Sequence, residues 1–469
     1  MKKRVHAIAR KKGIEKTDTC WCLFWDWMDT GKVSHLLLDH LFKIGIGHER
    51  KVGSREFPVS GRVASCFSAA SMVQLLRLQP FKGLYLTLQF FSTILLRLPV
   101  WFLFAIPQSF RPSSLWAIGK VVKMKLTLHL LSVTRKTGPI RVAPNHLSIT
   151  PGVDVNGVWI PATPGIIKDE LEIWANVAKV TSISIPGYWV HRKGSIIPVA
   201  APPIPGERII YALHGGGYVT LSAHPSDPTA AIARGLVRYV DSVHRVFSPE
   251  YRLSSGSGIE AKNAFPTALI DALAGYIYLV KTVGFHPSDI IVEGDSAGGN
   301  LALALTRYLV EHPNAGLPAP PGSLVLLSPW TDLGPQDADP HSSWVRNVKT
   351  DYIGLVDLEA YLRAVGSFVG PHGLGAAETN LMISPASRNP AMMISFKGFP
   401  PTFIAAGGGE VFLDMISVLK DRMVKDLGHE KVKYYCPPAA THDWVALPFF
   451  EPERTNTLKE IASWLAASS

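Results

Sequence analysis

One stretch, IIVEGDSAGGNLALAL at residues 290–305, constrains this chain more than any other. Ile290, Ile291 and Val292 read as the end of a buried strand, because β-branched side chains suit a pleated surface. Leu301, Leu303 and Leu305 among alanines read as a helix packed on that sheet. Between them stands Gly294-Asp295-Ser296-Ala297-Gly298, a G-x-S-x-G pentapeptide. A serine on so tight a strand-to-helix turn needs small residues two positions to either side. The helix that follows aims its N-terminal N–H groups at whatever the serine attacks. Taken alone, the stretch also fits a tight βα corner with an inert serine.

A serine hydroxyl becomes a nucleophile only when a base takes its proton, and that base needs an orienting carboxylate. A working elbow therefore predicts an acid and then a histidine after later strands. The strand PTFIAAGGG runs directly into Glu410. The strand KVKYYCPP, residues 431–438, leads into AATHDW and places His442 on a loop before the last helix. Ser296, Glu410 and His442 then all fall at the C-terminal ends of parallel strands, where such sheets bind ligands. Two alternative acids exist: Asp332, after LVLLSPW, and Asp414, four residues past Glu410. A further glycine cluster, HGGGY at 214–218, ends an earlier strand. Backbone N–H groups of Gly215, Gly216 and Gly217, with that of Ala297, are candidate donors to the oxyanion of a tetrahedral intermediate. His214, Gly294, Asp295 and Gly298 support these two turns.

Strand and helix patterns alternate from about residue 157. RIIYALHGGGY (208–218), VHRVFSPEYRL (243–253), the stretch ending in Ile290, Ile291 and Val292, SLVLLSPW (323–330), PTFIAAGGGE (401–410) and KVKYYCPP (431–438) read as strands with their following loops, and residues 266–280 put Leu269, Leu273, Tyr276 and Val280 on one helical face. The chain closes in an amphipathic helix. Such alternation predicts an α/β fold with a mostly parallel central sheet and helices on both faces. Three parts follow: a basic and aromatic arm over 1–72, an apolar membrane-associating segment over 73–156, and an α/β domain that holds the candidate catalytic residues over 157–469.

Charge is distributed unevenly. Residues 1–150 hold 23 Lys+Arg against 7 Asp+Glu, while the remainder holds 24 against 30. Residues 84–106 form an apolar run long enough to span a bilayer, interrupted by Gln89, Arg97 and Pro99. Arg97 is costly at the bilayer centre and Pro99 is expected to kink a helix. The run reads as a membrane anchor, spanning or lying at the interface, or else as a helix packed on the body as part of a lid. The catalytic body is expected on the cytoplasmic side. A basic, apolar part favours an anionic membrane surface over nucleic acid. Cys20, Cys22, Cys66 and Cys436 form no zinc-spaced set and are expected to be free thiols. No N-x-[ST] sequon occurs.

Together HGGGY, EYRLS (250–254), FPTALIDAL (265–273), GDSAGGNLA (294–302), LSPWTDL (327–333) and THDW resemble the hormone-sensitive-lipase-like branch of the α/β-hydrolase family. The resemblance covers about residues 157–466, and it extends loosely to fungal members with an apolar N-terminal segment. It implies hydrolysis of carboxylic esters by a Ser–Asp/Glu–His triad without cofactor or metal. The expected partner is an apolar small-molecule ester. It also implies a helical cap that includes an insertion, here about 334–400. The family usually carries aspartate where this chain has Glu410. Two other readings use the same pocket: an acyltransferase or a hydrolase of a metabolite pathway, and a non-catalytic binder.

Overall fold

A computed structural model describes residues 74–138, 143–313, 315–336, 339–354 and 358–467. The basic arm over 1–72 and three of the four cysteines lie outside the described residues; Cys436 is a free thiol, half-buried. The described residues fall into two compact units. One holds the chain up to Phe104 and from Val122 to Gly138, and the other holds Ala105–Val121 and everything from residue 143 onward.

The larger unit is built on eight strands: β1 Asn156–Ile160, β2 Ile185–His191, β3 Arg208–Leu213, β4 Val243–Pro249, β5 Ile290–Asp295, β6 Ser323–Leu327, β7 Thr402–Ala405 and β8 Val432–Tyr435. They lie in the order β1-β2-β4-β3-β5-β6-β7-β8. The pairs β1–β2 and β2–β4 are antiparallel, and all the others are parallel. The six strands read from sequence are the parallel core. The antiparallel edge, β1 and β2, has no continuous apolar run: NGVWI and IPGYWVH carry glycine and proline, which weaken a strand signal. Strand β5 sits centrally, with Gly294 opposite both Leu213 of β3 and Leu326 of β6. Every residue of β5 is buried, as a strand covered on both faces must be.

Among the described residues of the two units are ten longer helices: α1 Phe81–Ser92, α2 Leu98–Ala105, α3 Ile118–Thr137, α4 Asp169–Ala178, α5 Ala230–Tyr239, α6 Thr267–Ile277, α7 Ala297–Glu311, α8 Leu358–Val369, α9 Leu413–Leu427 and α10 Glu453–Ala467. Helix α6 packs on α7, and α5 on α10. Leu269, Leu273 and Tyr276 are buried on α6, as their spacing predicts. The 334–400 insertion carries α8, whose Phe368 stacks on Tyr218 at 3.8 Å. Its last third packs into the body instead, with Ile383, Ala386, Phe396 and Phe399 buried.

In the smaller unit, α1 and α2 run on as one helix, Phe81–Ala105, of 25 residues, long and apolar enough to cross a membrane by length and composition. The break expected at Pro99 is taken up differently: a wide, π-type turn over Thr93–Arg97 precedes the proline. Proline clashes with the carbonyl four residues back, here Leu95, and a locally wider turn relieves that clash. Arg97 bonds the Ser92 hydroxyl one turn away. The Thr93 hydroxyl meets His129 of α3 at 3.0 Å, and Trp101 packs edge-on against the same ring.

In the larger unit, Arg111 donates to the carbonyls of Ala105 at 2.8 Å and Ile106 at 3.1 Å. Trp116 is buried, donates to Ala439 O at 2.7 Å and packs edge-on against Phe450. Lys120 pairs with Glu453 at 2.7 Å. Residues preceding the sheet are thus fastened to the loop that carries His442.

The EYRLS and TALIDAL motifs meet in a buried ion pair. Arg252 Nη2 lies 2.7 Å from Asp271 Oδ1, Nε lies 2.9 Å from Oδ2, and the Arg252 N–H also donates to Oδ2 at 2.9 Å. Removing one partner strands a charge in a dry interior, which costs about 3–5 kcal/mol. Asp271→Ala should therefore lower the urea unfolding free energy by that amount, and adding Arg252→Met should recover part of it.

Candidate active site

The elbow is as tight as the glycines require. Ser296 has φ 51° and ψ −115°, a strained conformation for a side chain with a Cβ. Three backbone hydrogen bonds hold it. Ser296 N–H donates to Leu327 O at 2.9 Å, and its carbonyl accepts from Trp330 N–H at 2.9 Å and Asn300 N–H at 3.1 Å. A Cβ on Gly298 would collide with the Leu213 carbonyl oxygen, and one on Gly294 with the Gly298 carbonyl oxygen. Ser296 also occupies the N-cap of α7, where a serine hydroxyl normally accepts from a helix N–H. Here it makes no such bond. It lies instead 2.9 Å from His442 Nε2.

His442 Nδ1 lies 3.1 Å from Glu410 Oε2, and the other carboxylate oxygen accepts from Gly407 N–H at 2.9 Å. The extra methylene of glutamate is absorbed by a turn. Glu410 N–H donates back to Gly407 O at 3.1 Å, while the N–H groups of Gly408 and Gly409 donate to Pro437 O and Ala440 O at 2.9 Å. The glycines let this loop lie against the backbone that leads to His442. All three side chains are buried. Burial pushes the Glu410 carboxyl up to about 7, against the lowering effect of the His442 hydrogen bond. Burial alone would lower His442, but the carboxylates of Asp443 and Glu410 outweigh it and raise the imidazole well above its ordinary value.

The two alternative acids are elsewhere occupied. Asp332 accepts from Arg388 Nε at 2.8 Å and from Gly334 N–H at 3.0 Å. Asp414 accepts from Ser343 N–H at 2.7 Å at the start of α9. Neither is hydrogen-bonded to His442, whose Nδ1 meets Glu410 instead.

The glycine loop divides in two. A Cβ on Gly215 would strike the Asp295 carboxylate, and the Gly215 N–H is engaged with that same carboxylate. Gly216 and Gly217 have φ 104° and 61°. Among the described residues none accepts a hydrogen bond from the N–H of Gly216, Gly217 or Ala297. His214 is buried, lowered to about 4 by burial, and stacked on Tyr251 at 4.2 Å, so it is a neutral structural ring. The Tyr251 hydroxyl donates to His214 O at 2.6 Å and fixes the start of the loop.

Four supporting residues escaped the sequence reading. Tyr218 donates to Asn300 Oδ1 at 2.6 Å, and Asn300 Nδ2 donates to Trp330 O and Ile383 O, tying the glycine loop to α7. Ser328 Oγ accepts from Asp443 N–H at 3.1 Å and also bonds the Glu410 carboxyl. Asp443 itself approaches His442. Ser328 and Asp443 were visible only as the S of LSPW and the D of THDW, with no signal for their partners.

Comparison with known proteins agrees with this fold. Residues 210–446 match the alpha/beta hydrolase fold family. The chain belongs to that family. It is 25% identical over 316 residues to Esterase LipU of Mycobacterium tuberculosis, covering 66% of this chain and 95% of the relative. It is 26% identical over 350 residues to an esterase of Acinetobacter venetianus, covering 74% and 97%. Among solved structures it is similar to EstE7, a hormone-sensitive-lipase homologue from a metagenome library, at 26% identity and a TM-score of 0.46 over 60% of this chain and 82% of that one. The family and the esterase relatives agree with an α/β-hydrolase that acts on carboxylic esters.

Gly298 in the elbow and Gly366 in α8 differ in what a Cβ would meet. Gly298→Ala should cost more than about 3 kcal/mol or prevent folding, because the clash is with backbone. Gly366→Ala, in α8 with nothing within 4 Å of its Cβ, should stabilise by about 0.5–1 kcal/mol. Chemical denaturation of both variants checks the pair.

Proposed function

We propose that Ser296, His442 and Glu410 act as the catalytic triad with which this protein hydrolyses carboxylic esters, apolar small molecules, at or near a membrane. The observation that carries this reading is the unbroken chain from Ser296 Oγ to His442 Nε2 and from Nδ1 to Glu410, set on a serine held in a strained turn. The chain is a carboxylic ester hydrolase by family and by its esterase relatives; the roles of individual residues are our reading.

His442 Nε2 takes the proton as Ser296 Oγ attacks the ester carbonyl. Glu410 fixes the ring with Nδ1–H toward itself and stabilises the imidazolium that forms. The carbonyl oxygen becomes an oxyanion, and the free N–H groups of Gly216, Gly217 and Ala297 suit its charge, helped by the N-terminus of α7. His442 then gives the proton to the departing alkoxide, leaving an acyl-enzyme. Water repeats the sequence and releases the acid. Phe412 and Tyr352 flank the His442 ring, with centroids 5.0 Å and 5.7 Å away, an apolar setting in which these charges interact strongly.

Ser296→Ala and His442→Ala should each lower kcat/KM for a p-nitrophenyl ester by about 10⁴-fold or more, and the double variant should be no worse than the worse single. Labelling of Ser296 by a fluorophosphonate should vanish in Ser296→Ala. Glu410→Gln should lose far more activity than Asp332→Asn or Asp414→Asn. Equal losses from Glu410→Gln and Asp332→Asn would remove Glu410 from the triad.

The apolar helix Phe81–Ala105 supports the membrane part of the proposal. Leu84, Leu88, Leu95 and Leu103 are exposed along its length. The full chain should sediment with membranes through a carbonate wash and be released by detergent. A chain that remains in the soluble fraction would remove this part and leave the chemistry intact.

A further inference from the structure

A second carboxylate is aimed at the catalytic ring. Asp443 has φ 46° and ψ 37°, in the left-handed region that non-glycine residues seldom take. Ser328 holds it there by accepting the Asp443 N–H, and the Asp443 carbonyl accepts from Ala446 N–H at 2.9 Å. This turn makes two adjacent side chains converge. Asp443 Oδ2 lies 3.2 Å from His442 Nε2, the nitrogen that also lies 2.9 Å from Ser296 Oγ. Both side chains are buried, and Asp443 Oδ1 has no hydrogen-bond partner. A bare Nε2 lone pair facing a carboxylate oxygen at this distance repels it. A protonated Nε2–H attracts it. The arrangement therefore fits an imidazolium gripped at both nitrogens, Nδ1–H by Glu410 and Nε2–H by Asp443.

We propose that Asp443 is a positioning residue that holds His442 as an imidazolium in the resting enzyme and steadies the same cation when it forms during catalysis; the proposal rests on the triad reading above. The proton on Nε2 must first pass to solvent. Only then can Nε2 accept the Ser296 proton as Oγ attacks. Asp443 thus delays the appearance of the base as pH rises, and favours the imidazolium of the tetrahedral intermediate once the base is in use.

Other groups facing the ring come from several elements: Glu410 after β7, Asp351 and Tyr352 from the insertion, and Asp295 at the elbow, while Glu293 of β5 acts on Asp443. Burial raises Asp351, Asp295 and, to about 8, Glu293, so their neutral forms persist to higher pH. Glu410 and Asp443 are the two carboxylates in direct contact with the ring nitrogens. The sign follows. A carboxylate on Nε2 raises the imidazolium pKa, so the acid limb of kcat/KM lies above the pH of an unperturbed histidine, and removing the charge moves that limb to lower pH.

The test uses the full chain and Asp443→Asn, since asparagine keeps the shape and tolerates the left-handed backbone. Profiles of kcat and KM for a p-nitrophenyl ester are measured across the pH range. The acid limb of kcat/KM should fall by about one pH unit, which gives up to about tenfold more activity below the limb. The plateau kcat at high pH should drop about tenfold with KM little changed, so the two profiles cross. A purely structural role would lower both ends together, and parallel profiles overturn the proposal. The ¹⁵N resonances of the His442 ring provide a second measurement that needs no turnover. In the unsubstituted protein both nitrogens should remain protonated at pH 6.5, and a neutral ring there overturns the proposal even if Asp443→Asn fails to fold. If Ser296→Ala keeps full hydrolysis, the triad reading fails first and the proposal with it.

Discussion

The backbone of Ser296 is the constraint on which the rest of the site depends. A serine with φ near 51° is a poor local choice, and three backbone hydrogen bonds to β6 and to the Trp330 and Asn300 N–H groups keep it there. Those bonds exist because β5 lies in the middle of a parallel sheet, with β3 and β6 ending at the same level. The strain does two things at once. It removes the hydroxyl from its ordinary capping role, and it turns that hydroxyl toward His442. The close approach of Gly298 to the Leu213 carbonyl brings the start of the glycine loop against the elbow, so nucleophile and candidate oxyanion donors are fixed by one packing contact.

Buried charge is spent in two ways. Arg252–Asp271 and Arg245–Glu207 are fully paired ions that lock loops to helices and edges, with separations of 2.7 Å and 2.9 Å. Around His442 the charges are unbalanced by design of the fold. Four carboxyls, those of Asp295, Asp351, Glu410 and Asp443, stand near one imidazole, Glu293 acts on Asp443, and orphaned oxygens remain on Glu293, Asp295 and Asp443. Isolated carboxylates are expensive in such a place, so protons stay on some of them and on the ring. A structural core would avoid this arrangement; sites that move protons tolerate it.

The position of His442 depends on chain from far away. Trp116 reaches Ala439, three residues before the histidine, and Lys120 fastens the start of α10 through Glu453. On the other side Ser328, from the end of β6, bonds both Asp443 and Glu410. The histidine loop is therefore held between the segment preceding the sheet and a neighbouring strand end, which leaves little freedom to the ring.

The sequence by itself determined the parallel core, the elbow and the order of serine, acid and histidine, because each is written locally: β-branched runs, glycines where a Cβ cannot fit, and a polar residue directly after a strand. It also favoured Glu410 over Asp332 and Asp414 on position alone. Tertiary structure decided what local pattern cannot encode. It brought Glu410 and not Asp332 to His442, since Asp332 is committed to Arg388, a partner 56 residues away. It drew β1 and β2 into an antiparallel edge that carries no strong strand signal, because pairing with β4 supplies the order that propensity lacks. It set Gly215 against the Asp295 carboxylate. And it aimed Asp443 at the His442 ring, since the direction of that side chain is set by a left-handed backbone that a distant partner, Ser328, helps to fix.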